Sequence, residues 1–382
     1  MKKIFSAILI SSLFAFSSCQ ESKKSTQTTD MSNQDTTVFY GSLDNKDILL
    51  YQIGNEHLQV SVTNFGARLV SLIVKDKQRK DVDVILGYDT AEEYINNTNN
   101  FYGAIVGRYG NRIGDATFSL HGTTYHLEKN DGENTLHGGT NGVYNKVWTV
   151  KSQEKDAITL TYLSPDGEAG YPGNVNMEVT YKVNNNGGLE ILYNADTDKE
   201  TVLNLTNHAY FNLNGQGDTT ILDHELWIDA DHITQVNKTL IPTGKSIAIA
   251  GTAFDFTTAK PIGQDIDRGT EQLEFGKGYD HNFELNKEEG FAEVASLYAP
   301  KTAIEMKVFT TEPGLQFYSG NFMSDTDPKG KGGSTYPFRS ALCLETQHFP
   351  DSPNHEKFPS TVLKPGEKYT SKTEYRFSVV KR

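Results

Sequence analysis

Cysteine is nearly absent from this 382-residue chain, which holds only Cys19 and Cys343. Cys19 closes an apolar N-terminal run, so Cys343 is left alone. An internal disulfide and a Cys-rich metal site are both excluded. The fold must rest on its core, and a chain of this length can bury one. The sequence also lacks a glycine-rich phosphate loop, a dinucleotide fingerprint and an HExxH pair. Positive charge is scarce: 36 Lys and Arg stand against 49 Asp and Glu, a net charge of −13. It becomes −15 once Lys2 and Lys3 are removed with residues 1–18. A surface this acidic repels nucleic acid and anionic ligands and suits a neutral substrate. Helical periodicity is scarce too, with Thr90–Asn96 the clearest short helix. No fixed-period repeat suggests a propeller or solenoid.

The N-terminus MKKIFSAILISSLFAFSSC has the layout of a signal peptide. Lys2 and Lys3 form a basic start, an apolar run extends from Ile4 to Phe16, and Ser17 and Ser18 precede Cys19. The run is short of the roughly 20 apolar residues that span a bilayer. A Cys after small residues is similar to a bacterial lipoprotein cleavage site, where that Cys is acylated. Phe16 departs from it, since Leu is usual there, and an ordinary secretory signal is the alternative. Residues 1–18 are expected to be a signal peptide. Residues 19–37, polar and without apolar periodicity, are expected to be a lipid-anchored tether. The protein would then be exported to the periplasm or cell envelope and touch membrane only through Cys19.

From 38 to 382 strand signals dominate. Leu58–Val62, Val147–Val150, Ile158–Tyr162, Asn176–Val183, Leu189–Ala195 and Thr302–Phe309 alternate or are rich in Val, Ile, Thr and Tyr. Asp166-Gly167, Asn186-Gly187-Gly188, Asn214-Gly215 and Pro313-Gly314 read as turns between them. Strands at this spacing, with few short helices, predict an all-β fold, a large antiparallel sandwich or barrel in one domain. The loop-like segment Met323–Tyr336 is a candidate to flank a site.

Four polar islands interrupt this pattern: His137 in NTLHGG, His208 in NLTNHAYFNL, Asp280 in GYDHNF and Glu345 in ALCLETQHFP. Two imidazoles and two carboxylates are what proton transfer near neutral pH requires. For His137 the competing reading is an exposed turn, although Gly138 and Gly139 would let backbone approach a ligand or take up positive φ. His208 is crowded by Asn204, Thr206, Asn207 and Asn212, all needing partners if buried. A satisfied core histidine is its alternative. Asp280 opens a strand and could equally cap its own turn. Glu345 lies in an apolar strand, where an unpaired charge costs several kcal/mol, so it should be paired or functional. The polar loop after it would place Glu345 at a sheet rim. Arg112, after Asn111, could bind hydroxyls or an oxyanion, or simply pair with a carboxylate. Gln316 offers an amide, and Phe317 and Tyr318 offer rings of the kind sugars pack against. No spacing of His208, Asp280 and Glu345 supports a metal site.

Together the segments NFGARLVSL, GRYGNRI, NTLHGG, SPDGEAGYPG, NLTNHAYFNL, GYDHNF, EPGLQFYSGNF and LETQHFPDSPNH resemble those of the aldose 1-epimerases, also called galactose mutarotases. The resemblance spans nearly the whole chain after the tether. It implies a galactose-mutarotase-like β-sandwich, free aldohexoses as substrates and no redox cofactor. It also implies His208 as acid, Glu345 as base, and Asn111, Arg112, His137, Asp280 and Gln316 as substrate-binding residues. Acid and base would stand on opposite sides of the hemiacetal. Departures are Tyr109-Gly110 and the Gly/Lys-rich stretch Pro328–Gly333. Some members similar to this secreted bacterial type are associated with calcium, but nothing in the spacing marks a site. A monomer is expected. The competing functions are a glycoside hydrolase using Asp280 and Glu345, and a non-catalytic carbohydrate-binding lipoprotein.

Overall fold

Strands with one apolar side need a second layer to cover it, and two sheets facing each other solve that. The computed structural model describes residues 39–287 and 290–380, all within one compact unit, 36–382. The signal peptide, the tether and Cys19 lie outside the described residues.

One layer is a nine-stranded sheet. In spatial order it runs Thr149–Gln153, Ala157–Ser164, Val175–Val183, Gly188–Thr197, Tyr369–Val379, Ile304–Thr310, Ala292–Ala299, Glu225–Ile228 and Lys260–Pro261. Its pairings are antiparallel. The period of two is clear in Val175–Val183, where Val175, Met177, Val179, Tyr181 and Val183 are buried and the residues between them are more open. A four-stranded sheet (Leu50–Gly54, Gln59–Thr63, Arg68–Lys75, Asp81–Asp83) supplies further apolar side chains to the same core. So does a five-stranded sheet (Pro242–Ala248, Ala230–Val236, Asp280–Leu285, Gly314–Tyr318, Cys343–Gln347). The layers are joined by polar contacts as well as packing. Tyr181 Oη donates to the Ala67 carbonyl (2.7 Å) and Tyr375 Oη to that of Leu344 (2.9 Å). Each large apolar side chain in the shared core, such as Leu315 or Phe283, contributes about 1.5–3 kcal/mol by leaving water.

The expected strands are present, some displaced. The expected Val147–Val150 strand begins instead at Thr149, because Val147 makes a lone bridge to Phe65. Thr302–Phe309 becomes Ile304–Thr310. The helix is Ala91–Asn96, started by a capping box in which Thr90 and Glu93 each bond the other's backbone N–H. A second, Glu271–Gly276, has no sequence expectation behind it. Pro313-Gly314 is not a glycine-dependent turn; Gly314 opens a strand with ordinary φ. A Cβ there would crowd the Asn282 side chain, 2.4 Å from its Oδ1, and stand 3.1 Å from the Gln347 carbonyl oxygen.

Met323–Tyr336 is a loop pinned to the four-stranded sheet. Lys331 is buried, and its Nζ donates to the Val70 and Ile85 carbonyls (2.8 Å each) and to Asp83 Oδ2 (2.7 Å). Tyr336 Oη adds a bond to the Gly87 carbonyl.

Candidate active site

Three neighbouring strands of the five-stranded sheet are buried on both faces, and alternation sorts their side chains. In Gly314–Tyr318 and Cys343–Gln347, Leu315, Phe317 and Leu344 enter the core, while Gln316, Tyr318, Cys343 and Glu345 take the opposite side. Register then lines up the polar groups: Asn282 opposite Gln316, Gln316 opposite Glu345, and Asp280 opposite Tyr318, itself opposite Cys343. Phe317 is therefore not a sugar-facing ring; it stacks on Tyr279 inside the core, at 5.1 Å between ring centres. Glu345 sits in the middle of an edge strand rather than at its end, and is only 2% exposed.

Beside that edge, the short strand Thr206–His208 pairs with Ala104–Val106. It is tied to the Glu345 strand by Thr206 Oγ1, which donates to the Thr346 carbonyl. This brings His208 Nε2 to 3.7 Å from Glu345 Oε1. The amides crowding His208 are spent on the fold: Asn207 Nδ2 donates to the Gly103 carbonyl, Asn204 Nδ2 to the Gly110 and His348 carbonyls, and Asn212 Nδ2 to the Ser340 carbonyl.

Asn111 and His137 form a second unit. Both adopt positive φ, the His137 N–H donates to the Asn111 carbonyl, and the Asn111 N–H donates to His137 Nδ1 (3.1 Å). Because Nδ1 accepts, the neutral His137 ring carries its proton on Nε2 and is a donor there. Gly138 serves this packing rather than a ligand; at φ +88° a Cβ would lie 2.0 Å from the Gly107 carbonyl oxygen. His137 approaches His208 edge-on, with ring centres 4.9 Å apart.

Arg112 completes the constellation, paired with carboxylates at the cleft wall. Its Nε donates to Asp131 Oδ2 (2.8 Å), its Nη1 is 3.7 Å from Asp280 Oδ2, and it lines the cleft. Gln316 Nε2 donates to the other Asp280 oxygen (2.7 Å). Gln316 thus holds Asp280 from behind, while Asn111, Arg112, His137, His208, Asp280 and Glu345 line one cleft of ≈ 760 Å³. Tyr318, Tyr210 and Phe101 add aromatic wall, and Phe322, half exposed just ahead of the pinned loop, forms part of the lip.

Burial dominates the electrostatics. It pushes Glu345 well above the usual carboxylate range, aided by the Asp280 carboxylate and opposed by Arg112. It drives His208 down to about 3, partly offset by bonding to its own backbone and furthered by Arg68. His137 falls too, from burial and then from the neighbouring His208 and Arg112. Asp280 rises through burial, restrained by Arg112 and Gln316.

Among the described residues, one group could hold a metal: single ligand atoms of His137, His208 and Glu345 lie within 4.8 Å of one another. Calcium takes roughly six to eight oxygens, so two imidazoles and one carboxylate do not fit it. His137 fits a transition metal poorly as well, since its bonded Nδ1 leaves a proton on Nε2.

Sequence reading missed Cys343, Tyr210, Asp131 and Phe101. Cys343 carried a signal, lying two residues from Glu345 on one strand and so on the same face, and Tyr210 follows two residues after His208, just past the end of its strand. Asp131 and Phe101 come from loops with no periodicity.

The chain is similar to known proteins over most of its length. The family model for aldose 1-epimerase matches residues 49–376. A galactose mutarotase from Sus scrofa is 41% identical over 330 residues, 86% of this chain and 94% of its own. An aldose 1-epimerase from Escherichia coli (strain K12) is 36% identical with the same coverage. Among solved structures, the GalM/aldose epimerase homologue from C. elegans superposes with a TM-score of 0.82 at 32% identity, covering 87% of this chain and 100% of that one. Galactose 1-epimerase from Lactobacillus acidophilus gives 0.78 at 29% identity, covering 89% and 97%. With a matched family spanning most of its length and these relatives, the chain belongs to the aldose 1-epimerase family.

Proposed function

We propose that the protein interconverts the α and β anomers of free aldoses such as D-glucose and D-galactose, with Glu345 as base and His208 as acid. The observation that carries this reading is the buried pair itself: a carboxylate oxygen and an imidazole nitrogen 3.7 Å apart at the cleft wall. The pair is side by side, not on opposite sides of the sugar. That suits a hemiacetal, whose hydroxyl and ring oxygens share one carbon.

The pair needs one proton between its two members. The C1 hydroxyl gives its proton to ionised Glu345 while His208 imidazolium gives its Nε2 proton to the ring oxygen. The C1–ring oxygen bond breaks, C1 becomes an aldehyde, and rotation about C1–C2 presents its other face. Ring closure returns both protons. In the open-chain state Glu345 is neutral and His208 is neutral, which burial favours at both residues. Burial favours the same neutral pair in the resting enzyme, so the ionised pair forms at a cost before the ring opens. The His137 Nε2–H and the Arg112 guanidinium supply donors to sugar oxygens, and Asp280, held by Arg112 and Gln316, accepts from sugar hydroxyls.

Polarimetry on freshly dissolved α-D-glucose tests the reading. The protein should speed equilibration far beyond the buffer rate, and no acceleration with either α-D-glucose or α-D-galactose would sink it. Every proton in the cycle is handled by a side chain, so prolonged EDTA treatment should leave the rate unchanged. An EDTA-sensitive rate restored by a divalent cation would overturn the metal-free cycle.

The same reading extends to location. Lys2, Lys3, the run Ile4–Phe16 and the small residues before Cys19 support export and acylation at Cys19, with residues 20–37 as a tether to the domain beginning near 38. No helix among the described residues is long and apolar enough to cross a membrane. Metabolic labelling with radioactive palmitate should mark the wild-type protein and not Cys19→Ala; equal labelling of both would refute the anchor.

A further inference from the structure

Two rings clamp the His208 imidazole. Tyr210 stacks on it with ring centres 4.9 Å apart and planes 28° apart, and Phe101 does so at 5.7 Å and 29°. Stacking holds the plane of the ring. It does not hold its rotation within that plane's two choices, because a half-turn about Cβ–Cγ exchanges Nδ1 with Cδ2 and Nε2 with Cε1. An aromatic face cannot tell these atoms apart. A polar group at Nδ1 can, and Cys343 Sγ lies 3.4 Å from it, on the side where the ring also bonds its own backbone carbonyl. Strand alternation puts this sulfur there: Cys343 and Glu345 are two residues apart on one buried strand and share a face. One strand therefore presents a sulfur to Nδ1 and a carboxylate to Nε2 of the same ring.

We propose that Cys343 is a positioning residue for the acid, its sulfur accepting the Nδ1–H of His208 so that Nε2 is the nitrogen that exchanges a proton with the sugar. This rests on the acid role of His208 proposed above. Imidazolium carries hydrogen on both nitrogens, and after Nε2 gives its proton away Nδ1–H remains. The partner at Nδ1 must therefore accept in both halves of the cycle. Sulfur is a weak acceptor and can do so. A carboxylate at this position would bind the imidazolium far more firmly and make it a poorer acid. Burial, with the Glu345 and Asp280 carboxylates next in weight, pushes the Cys343 thiol well up, so the sulfur stays protonated and uncharged. The thiol is fully buried, which keeps it a fixed partner.

The test compares wild type, Cys343→Ala and Cys343→Ser. Nitrogen-15 NMR of the free enzyme with labelled histidine should find neutral His208 protonated on Nδ1 in wild type and in Cys343→Ser, and a larger share of the Nε2 tautomer in Cys343→Ala. In polarimetry, Cys343→Ala should lower kcat by roughly 3–10-fold, the worth of one modest hydrogen bond, with KM changed by less than about twofold. Cys343→Ser, which keeps an acceptor, should recover most of the loss. His208 protonated on Nε2 in wild type would overturn the proposal, as would a Cys343→Ala enzyme with unchanged tautomer and kcat. If Cys343→Ala fails to fold, the wild-type tautomer and the Cys343→Ser rate still decide it. The NMR result is independent of turnover, so a failure of the epimerase reading would show separately, as a wild-type protein without activity.

Discussion

Glu345→Gln is expected to lower the polarimetric rate on α-D-glucose by about 10²–10⁴-fold, the usual contribution of one positioned proton carrier. Gln has nearly the same shape and can still hydrogen-bond the C1 hydroxyl, but it cannot take the proton. KM should therefore change little while kcat collapses. What residual rate remains needs His208 as imidazolium, which burial has driven down to about 3, so it should increase as the pH falls. The same substitution should not weaken the fold. Glu345 has its folded-state pKa raised above the unfolded value, so its contribution to stability is full below the unfolded value and lost as pH rises through the folded one. Gln cannot ionise and avoids that loss. Thermal melts should show Glu345→Gln at least as stable as wild type at neutral pH, with any advantage shrinking towards pH 4. Wild-type activity in this variant would remove Glu345 from the mechanism, and a variant markedly less stable at pH 7 would refute the account of its buried carboxyl.

The parts of the site legible in the sequence are those carried by strands. Gln316 and Glu345 each take the alternate face to core-facing apolar neighbours, Asp280 opens the strand beside them, and register alone sets the three in adjacent rows. A polar residue in such a strand is costly to bury, so its position in the pattern is itself a sign of purpose. His208 is marked instead by its surroundings. The neighbouring asparagines are structural, each spending its amide on a backbone carbonyl. What stays hidden depends on contacts between distant loops. Asp131 reaches Arg112 from a turn, Phe101 reaches His208 from a left-handed residue after a short helix, and neither leaves a periodic trace. Gly138 and Gly314 show a subtler limit. Both invite a turn or ligand explanation, yet Gly138 has positive φ and packs against the Gly107 carbonyl, and Gly314 packs against the Asn282 side chain. The side-by-side stance of acid and base is also beyond sequence, since it follows from a short strand laid along the edge of the five-stranded sheet.

His208→Asn should cost about as much as the Glu345 change, roughly 10²–10⁴-fold in kcat, because it removes the donor to the ring oxygen. Its pH dependence should run the other way. The wild-type pair works while it holds one proton: a second proton in acid occupies both members, and loss of the only proton in alkali leaves no acid. The acid limb belongs to the second protonation, at which His208, driven down to about 3, is the last to charge. The alkaline limb follows release of the proton from the raised Glu345. Wild type should thus show a broad bell. In His208→Asn only the base remains, and it works only when ionised, so the residual rate should climb with pH through the raised Glu345 value and then level. Opposite slopes in the two single variants, rising towards acid for Glu345→Gln and towards alkali for His208→Asn, would assign base and acid in one experiment. Parallel slopes would mean that the two residues do not exchange protons with the sugar in the roles given to them. The double variant adds a check on coupling. Because the residual rate of each single variant is carried by the partner that remains, removing both should slow the reaction further and abolish the opposite pH slopes.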